Sequence, residues 1–256
     1  MVCVTGDVHQ RSYRGTDSPF SPQTEVELAF KYGCIAQKHG IKFSLFLTGK
    51  ACEEEPQGVK RLADFPNCEI GGHTYAAFRD PWSRIFKKVW GTPWGTKAHQ
   101  LRDIQRTIEC IEKVSGQRIQ AWRNHSYIQT ADTVSLLENC GIHLVSDEVS
   151  DSKLSVEWVT PTFRSVPINV LPDHEHLLHG KYQPGKTKPA RLQGRVSITK
   201  WVSCVKKKVC KIGEAGGTAT ILVHPLCMEV ADGMVAFEEL CQYVQELPTC
   251  WISEVQ

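Results

Sequence analysis

The chain has 256 residues and a mass of 28.8 kDa, with 41% hydrophobic and 23% charged side chains. That supplies enough apolar material for a core and excludes a disordered, collagenous or coiled-coil chain. A formal charge of +2 gives no basic surface of the kind a nucleic acid requires, and no run approaches the 18 or so apolar residues that span a bilayer; neither partner is expected.

The opening residues 2 to 5 read as a core strand, and residues 24 to 39 read as a helix stopped by Gly40. A second strand follows at 42 to 48 and a third at 68 to 71. Leu101, Ile104, Ile108 and Ile111, three and four apart, mark one face of a helix over 98 to 115 that ends at Gly116. Next come a strand at 119 to 122, a helix at 131 to 140, and strands at 143 to 146 and 165 to 171. Ile198, Trp201, Val202, Val205 and Val209 line the inner face of an amphipathic helix whose Lys206, Lys207 and Lys208 face solvent. A buried strand at 218 to 224, a helix at 233 to 247 and a short strand at 250 to 252 complete the chain.

Strands alternating with helices predict an α/β fold with a parallel sheet. About seven strands without a Pro/Gly/Ser-rich linker or internal repeat point to one domain over 1 to 256, a distorted (β/α) barrel. Two connections are long, 78 to 97 with Trp82, Trp90 and Trp94, and 172 to 193 with Asp173, His174, Glu175, His176 and His179. Loops of that length are usually functional or disordered. The eleven cysteines are odd in number, scattered, and never spaced Cys-x-x-Cys, so reduced thiols are expected, with Cys227 and the others acting as small core residues. With a strand at the N-terminus there is no room for a signal peptide, and a cytoplasmic location is the expectation.

Ligand sites in parallel α/β architectures lie at the C-terminal ends of strands, and four such ends here are reactive. They are Thr5-Gly6-Asp7-Val8-His9, Gly71-Gly72-His73-Thr74, Trp122-Arg123-Asn124-His125 and Leu222-Val223-His224-Pro225. Asp7 and His9 are two residues apart, which puts them on one side of an extended strand.

This ordered set resembles the motifs of the polysaccharide deacetylase family, the NodB-homology metal-dependent amidases of carbohydrate esterase family 4. The resemblance implies that Asp7 is the catalytic base, that Arg123 holds it, that His224 is the general acid, and that His9 and His73 bind a metal. Ala77 stands where the family's second metal-binding His would be. A catalytic ion usually keeps three protein ligands; the third is open between His125, Asp7 and the 173 to 179 group, with His125 preferred for its spacing from Arg123. An imidazole-rich set favours zinc, with iron, cobalt or nickel as alternatives. Trp82, Trp94, Tyr127 and His174 are the candidate substrate contacts. The function expected from the resemblance is metal-dependent hydrolysis of a non-peptide amide, most simply deacetylation of an N-acetylated carbohydrate or a related N-acyl substrate. Two other readings compete with it: a degenerate barrel that binds a carbohydrate or metabolite without turnover, and a metal-dependent hydrolase of a cyclic amide or imide.

Overall fold

Alternation along the first strand decides which chemistry faces inward. In the computed structural model, which describes residues 1–256, β1 (Val2–Val8) sends Val2, Val4 and Val8 into a large apolar cluster shared with the helices. Cys3 instead joins a small interior cluster with Phe46, Ala121 and Leu144. A period of two then places Thr5 and Asp7 on the Cys3 side, inside the curl of the sheet. The same count carries Ala121 to Arg123 and Gly71 to His73.

The sheet has eight strands in the order β6-β7-β5-β4-β3-β2-β1-β8, with β2 (Phe43–Leu47), β3 (Cys68–Gly72), β4 (Ala121–Trp122), β5 (Leu144–Val145), β6 (Glu157–Thr160), β7 (Phe163–Ser165) and β8 (Ala219–Leu222). Every adjacent pair is parallel except β6 with β7. The two edges, β6 and β8, do not pair, so the sheet curls into a half-barrel. The floor beneath β1 is filled by the C-terminal segment: Cys250, Ile252 and Val255 pack in the interior cluster, and the Cys250 N–H donates to the Val2 carbonyl at 3.0 Å.

The first helix, Glu25–Lys38, begins where its sequence says it should. The Thr24 side chain accepts from the Glu27 N–H at 3.2 Å while Glu27 accepts from the Thr24 N–H at 2.8 Å, a reciprocal cap that satisfies two otherwise unpaired donors. The helix Lys97–Ser115 stops at Gly116, whose φ of 73° is open to glycine without penalty.

Four expectations are corrected. The tryptophan loop holds a helix, Pro81–Trp90, capped by Asp80. Residues 166 to 171 leave the sheet and make one isolated bridge at Ile168, where the Asn169 side chain bonds across to Thr218, Thr220 and Lys153. Residues 250 to 252 plug the floor and run into a 3₁₀ turn, Ile252–Glu254. The helix expected over 233 to 247 is shorter, Val235–Val244, and a further helix, Pro225–Asp232, precedes it across Gly233 and Met234, both with positive φ. No helix is long and apolar enough to cross a membrane, and the cysteines form no disulfide.

Candidate metal centre and active site

His9, His73 and His125 leave three different strand ends and meet. His9 Nε2 lies 3.1 Å from His125 Nδ1, which lies 3.4 Å from His73 Nε2. Hydrogen bonds on the far nitrogens orient two of the rings. His9 Nδ1 is 2.8 Å from Glu25 Oε2, and His73 Nδ1 is 2.9 Å from the Arg123 carbonyl. Carboxylates and carbonyls only accept, so both Nδ1 atoms carry the hydrogen and both Nε2 lone pairs point toward His125. Three imidazole nitrogens held by one ion at about 2.0–2.1 Å stand about 3.3–3.4 Å apart in tetrahedral geometry, close to the spacing found. These residues therefore fit a divalent transition ion.

Burial lowers the His73 imidazole to about 4, opposed by Asp7 and reinforced by His9 and Arg123. Burial, then His9 and His73, hold His125 well below its ordinary value. Both rings are neutral at neutral pH, the form in which imidazole binds metals. His125 reaches its place through a tight turn in which Ser126 and Tyr127 have φ of 55° and 58°, a left-handed pair that costs about 1–3 kcal/mol per residue.

Beside the triad stands Asp7. Its Oδ1 accepts from Arg123 Nη1 at 2.9 Å, and its Oδ2 is 3.8 Å from His73 Nε2 and 3.5 Å from His224 Nε2. Arg123 is fully buried and donates also to the Thr5 hydroxyl, the Ser146 hydroxyl and the Ser146 carbonyl. Burial pushes the Asp7 carboxyl up, but His73, Arg123 and His224 together hold it well below the usual carboxylate range. His224 is gripped by Asp173, whose Oδ1 is 2.6 Å from His224 Nδ1 and whose Oδ2 accepts the His224 N–H at 2.7 Å. Burial pulls this imidazole down; the Asp173 charge and hydrogen bond, then Asp7, outweigh it and hold it well above its ordinary value.

These groups open onto one cavity of about 570 Å³, whose wall includes Tyr13, Arg79, Tyr127, His174 and Glu175. Tyr127 and His174 are thus where a substrate contact would be. Trp82 and Trp94 are absent from that wall. Trp82 is 61% exposed on the Pro81–Trp90 helix, and Trp94 is buried with its indole N–H on the Ile128 carbonyl at 2.7 Å, so the expectation that they stack on substrate gives way to a surface and a packing role.

Sequence reasoning passed over Glu25 and gave Asp173 no partner. An acidic residue in a first helical turn reads as a response to the helix dipole, which hides the bond from Glu25 to His9. Outer-shell carboxylates of this kind are worth about 10- to 100-fold in metal affinity; Glu25→Ala is expected to weaken zinc binding by that factor in isothermal titration, and unchanged affinity would leave Glu25 a helix-start residue only.

A family model for polysaccharide deacetylases matches residues 30–145, the stretch that holds His73, Arg123 and His125 but neither Asp7, His9 nor His224. No curated protein sequence matches the chain. Among solved structures, a polysaccharide deacetylase homologue from Mycobacterium smegmatis is 17% identical with a TM-score of 0.72, covering 98% of this chain and 86% of that one. PuuE allantoinase is 13% identical with a TM-score of 0.68, covering 98% and 86%. A carbohydrate esterase family 4 pseudoenzyme from Bacillus anthracis is 16% identical with a TM-score of 0.52, covering 100% and 64%. At these identities the structures share the fold. The family match at the centre of the chain and the NodB-like half-barrel around it make this chain similar to the polysaccharide deacetylases over that stretch and in its fold.

Proposed function

We propose that the protein is a metal-dependent hydrolase of a non-peptide C–N bond that deacetylates an N-acetylated carbohydrate or a related small N-acyl substrate, working as one NodB-homology domain. The observation that carries this reading is the meeting at one cavity of three inward imidazoles, Asp7 held from behind by Arg123, and His224 held from behind by Asp173. A divalent ion held by His9, His73 and His125, zinc by the softness of the donors, would supply Lewis acidity toward water and a carbonyl oxygen.

Asp7 Oδ2, free of the Arg123 bond on Oδ1, faces the cavity as the acceptor for the proton of an attacking water. Arg123 keeps the carboxylate ionised and aimed, with its remaining donors committed to Thr5 and Ser146. As the water oxygen bonds to the acyl carbon and the C–N bond breaks, His224 Nε2 gives its proton to the departing nitrogen. Asp173 serves that step by holding the proton on His224 through neutral pH.

This assignment fixes a pH dependence. His224 must be protonated, and its folded pKa is raised, so activity persists through neutrality and is lost as pH rises through that elevated value. Removing a neighbouring opposite charge shifts such a group by about 1–3 units. Asp173→Asn is therefore expected to move the alkaline limb of the kcat/KM profile to lower pH by about that amount; an unmoved limb would detach His224 from the acid role.

The decisive assay is release of acetate from N-acetylated mono- and oligosaccharides by the zinc-loaded protein, run beside a panel of cyclic amides and imides. The second panel is included because the fold is shared with an allantoinase. Turnover only on the cyclic panel replaces the deacetylase reading. Saturable sugar binding without turnover on either panel identifies a binding barrel; the Bacillus anthracis protein of this fold is itself a pseudoenzyme.

A further inference from the structure

Cys227 is a core residue by composition, yet its sulfur faces polar atoms. Its Sγ is 3.5 Å from His174 Nδ1. His174 Nδ1 is 3.7 Å from Asp17 Oδ2, which is 2.8 Å from His179 Nε2. All four candidate ligand atoms lie within 4.8 Å of one another. Three of the four side chains belong to residues that are buried, Asp17, His179 and Cys227 at 2%, 0% and 2% exposure.

The hydrogen bonding here draws positive charge toward a buried carboxylate. His179 Nδ1 is 2.9 Å from the Leu177 carbonyl, which can only accept, while its Nε2 is aimed at a carboxylate, which can only accept as well. A neutral ring has one hydrogen for these two contacts. Burial pulls this imidazole down, but the Asp17 hydrogen bond and charge outweigh it and hold the ring above its ordinary value, so a protonated ring serves both in the metal-free protein, and a bound ion would take the place of that proton. Asp17 Oδ1 is buried and makes no well-formed hydrogen bond, although the Lys181 backbone N–H lies close enough to the carboxylate to help hold its pKa down against burial. The chain even crosses close over this carboxylate: at Gly180, with φ of +47°, a Cβ would come within 2.3 Å of Asp17 Oδ1, so only glycine permits the approach. A buried carboxylate with one oxygen unpaired is costly unless something positive compensates it.

We propose that Asp17, His174, His179 and Cys227 form a second metal site, taking zinc or another borderline-soft divalent ion, separate from the three-histidine centre. One sulfur, two imidazoles and one carboxylate make a donor set that disfavours magnesium and calcium. Four protein ligands leave no open position, the mark of a structural zinc site. Neighbouring donors around such an ion stand about 3.3–3.7 Å apart; the 3.5 and 3.7 Å separations fall in that range, and the 2.8 Å Asp17–His179 contact is a hydrogen bond that an ion would open. The site ties three segments together: the connection between β1 and the first helix through Asp17, the 172–182 segment through His174 and His179, and the first turn of the Pro225–Asp232 helix through Cys227. Asp173 and His224 border these ligands in sequence, so this ion fixes the frame that presents His224 to the cavity. None of this depends on the hydrolase reading.

Cobalt titration separates the two centres, because only this one contains a thiolate. The wild-type protein is expected to take two Co²⁺ per chain and to develop a near-ultraviolet thiolate-to-cobalt charge-transfer band. Cys227→Ser should lose the band and bind one equivalent, while His73→Ala should keep the band and also bind one. Zinc-edge X-ray absorption on the wild type gives an answer even if Cys227→Ser fails to fold, since the proposal requires a sulfur at about 2.3 Å from zinc. An all-nitrogen/oxygen shell at full loading, or a cobalt band that survives Cys227→Ser, would overturn it. A protein that loads this site yet cleaves no amide keeps the second site and loses the proposed function.

Discussion

Asp7→Asn is expected to lower kcat/KM by about 100- to 10,000-fold, the usual worth of a positioned general base, because the amide cannot accept the proton of the attacking water. The substitution has a second effect that the geometry sets. Arg123 is fully buried and Asp7 is its only carboxylate partner, and stripping one charge from a buried pair costs up to about 3–5 kcal/mol. Asn retains an oxygen for Arg123 Nη1, and the bonds to Thr5 and Ser146 persist, so a folded protein with a lowered Tm is the expected result. Turnover and a thermal melt measured on the same preparation separate the two effects. Wild-type turnover in a destabilised variant would make Asp7 a structural counter-ion.

His125→Ala is expected to have the opposite balance. The His125 ring makes its polar contacts with the other two histidines and edge contacts with Tyr13 and Phe78. In the metal-free protein His125 Nδ1 has one hydrogen at most to share between His9 Nε2 and His73 Nε2, so truncating this ring removes little from the metal-free fold. Removing a direct ligand should exceed the 10- to 100-fold cost of losing an outer-shell partner, and a loss of more than about 100-fold in zinc affinity is expected with a nearly unchanged apo Tm. Isothermal titration and a melt of both metal-free proteins check this. A destabilised apo protein with intact zinc affinity would make His125 a packing residue and return the third-ligand position to Asp7 or the 173–179 segment.

How much of this was legible in the sequence follows from which signals are local. Strand alternation and strand-end residues are local, and they were enough to align Asp7, His73, Arg123 and His224 on the inside of one sheet. The count from Arg123 to His125 was also readable, although the turn that delivers His125 depends on left-handed residues, Ser126 and Tyr127, that carry no glycine signal. Contacts between distant segments were not legible. Glu25 meets His9, and Asp173 meets His224 across 51 residues, pairings that only the folded half-barrel creates. Cys227 lay hidden for the same reason, since its neighbours Asp17, His174 and His179 come from two other connections. The tryptophans misled because aromatic residues in a long loop look alike whether they form a binding face, a surface helix or a packed wedge; the Asp80 cap and Pro81 at the first helical position were the local signs of the helix that holds Trp82.

The central claim is that His9, His73 and His125 hold a catalytic ion beside Asp7. A crystal structure of the zinc-loaded protein, with anomalous data on either side of the zinc edge, tests it most directly. An anomalous peak bonded to His9 Nε2, His73 Nε2 and His125 Nδ1, with Asp7 at its side, is the expected result. A fully loaded crystal with no peak among these three nitrogens would contradict it.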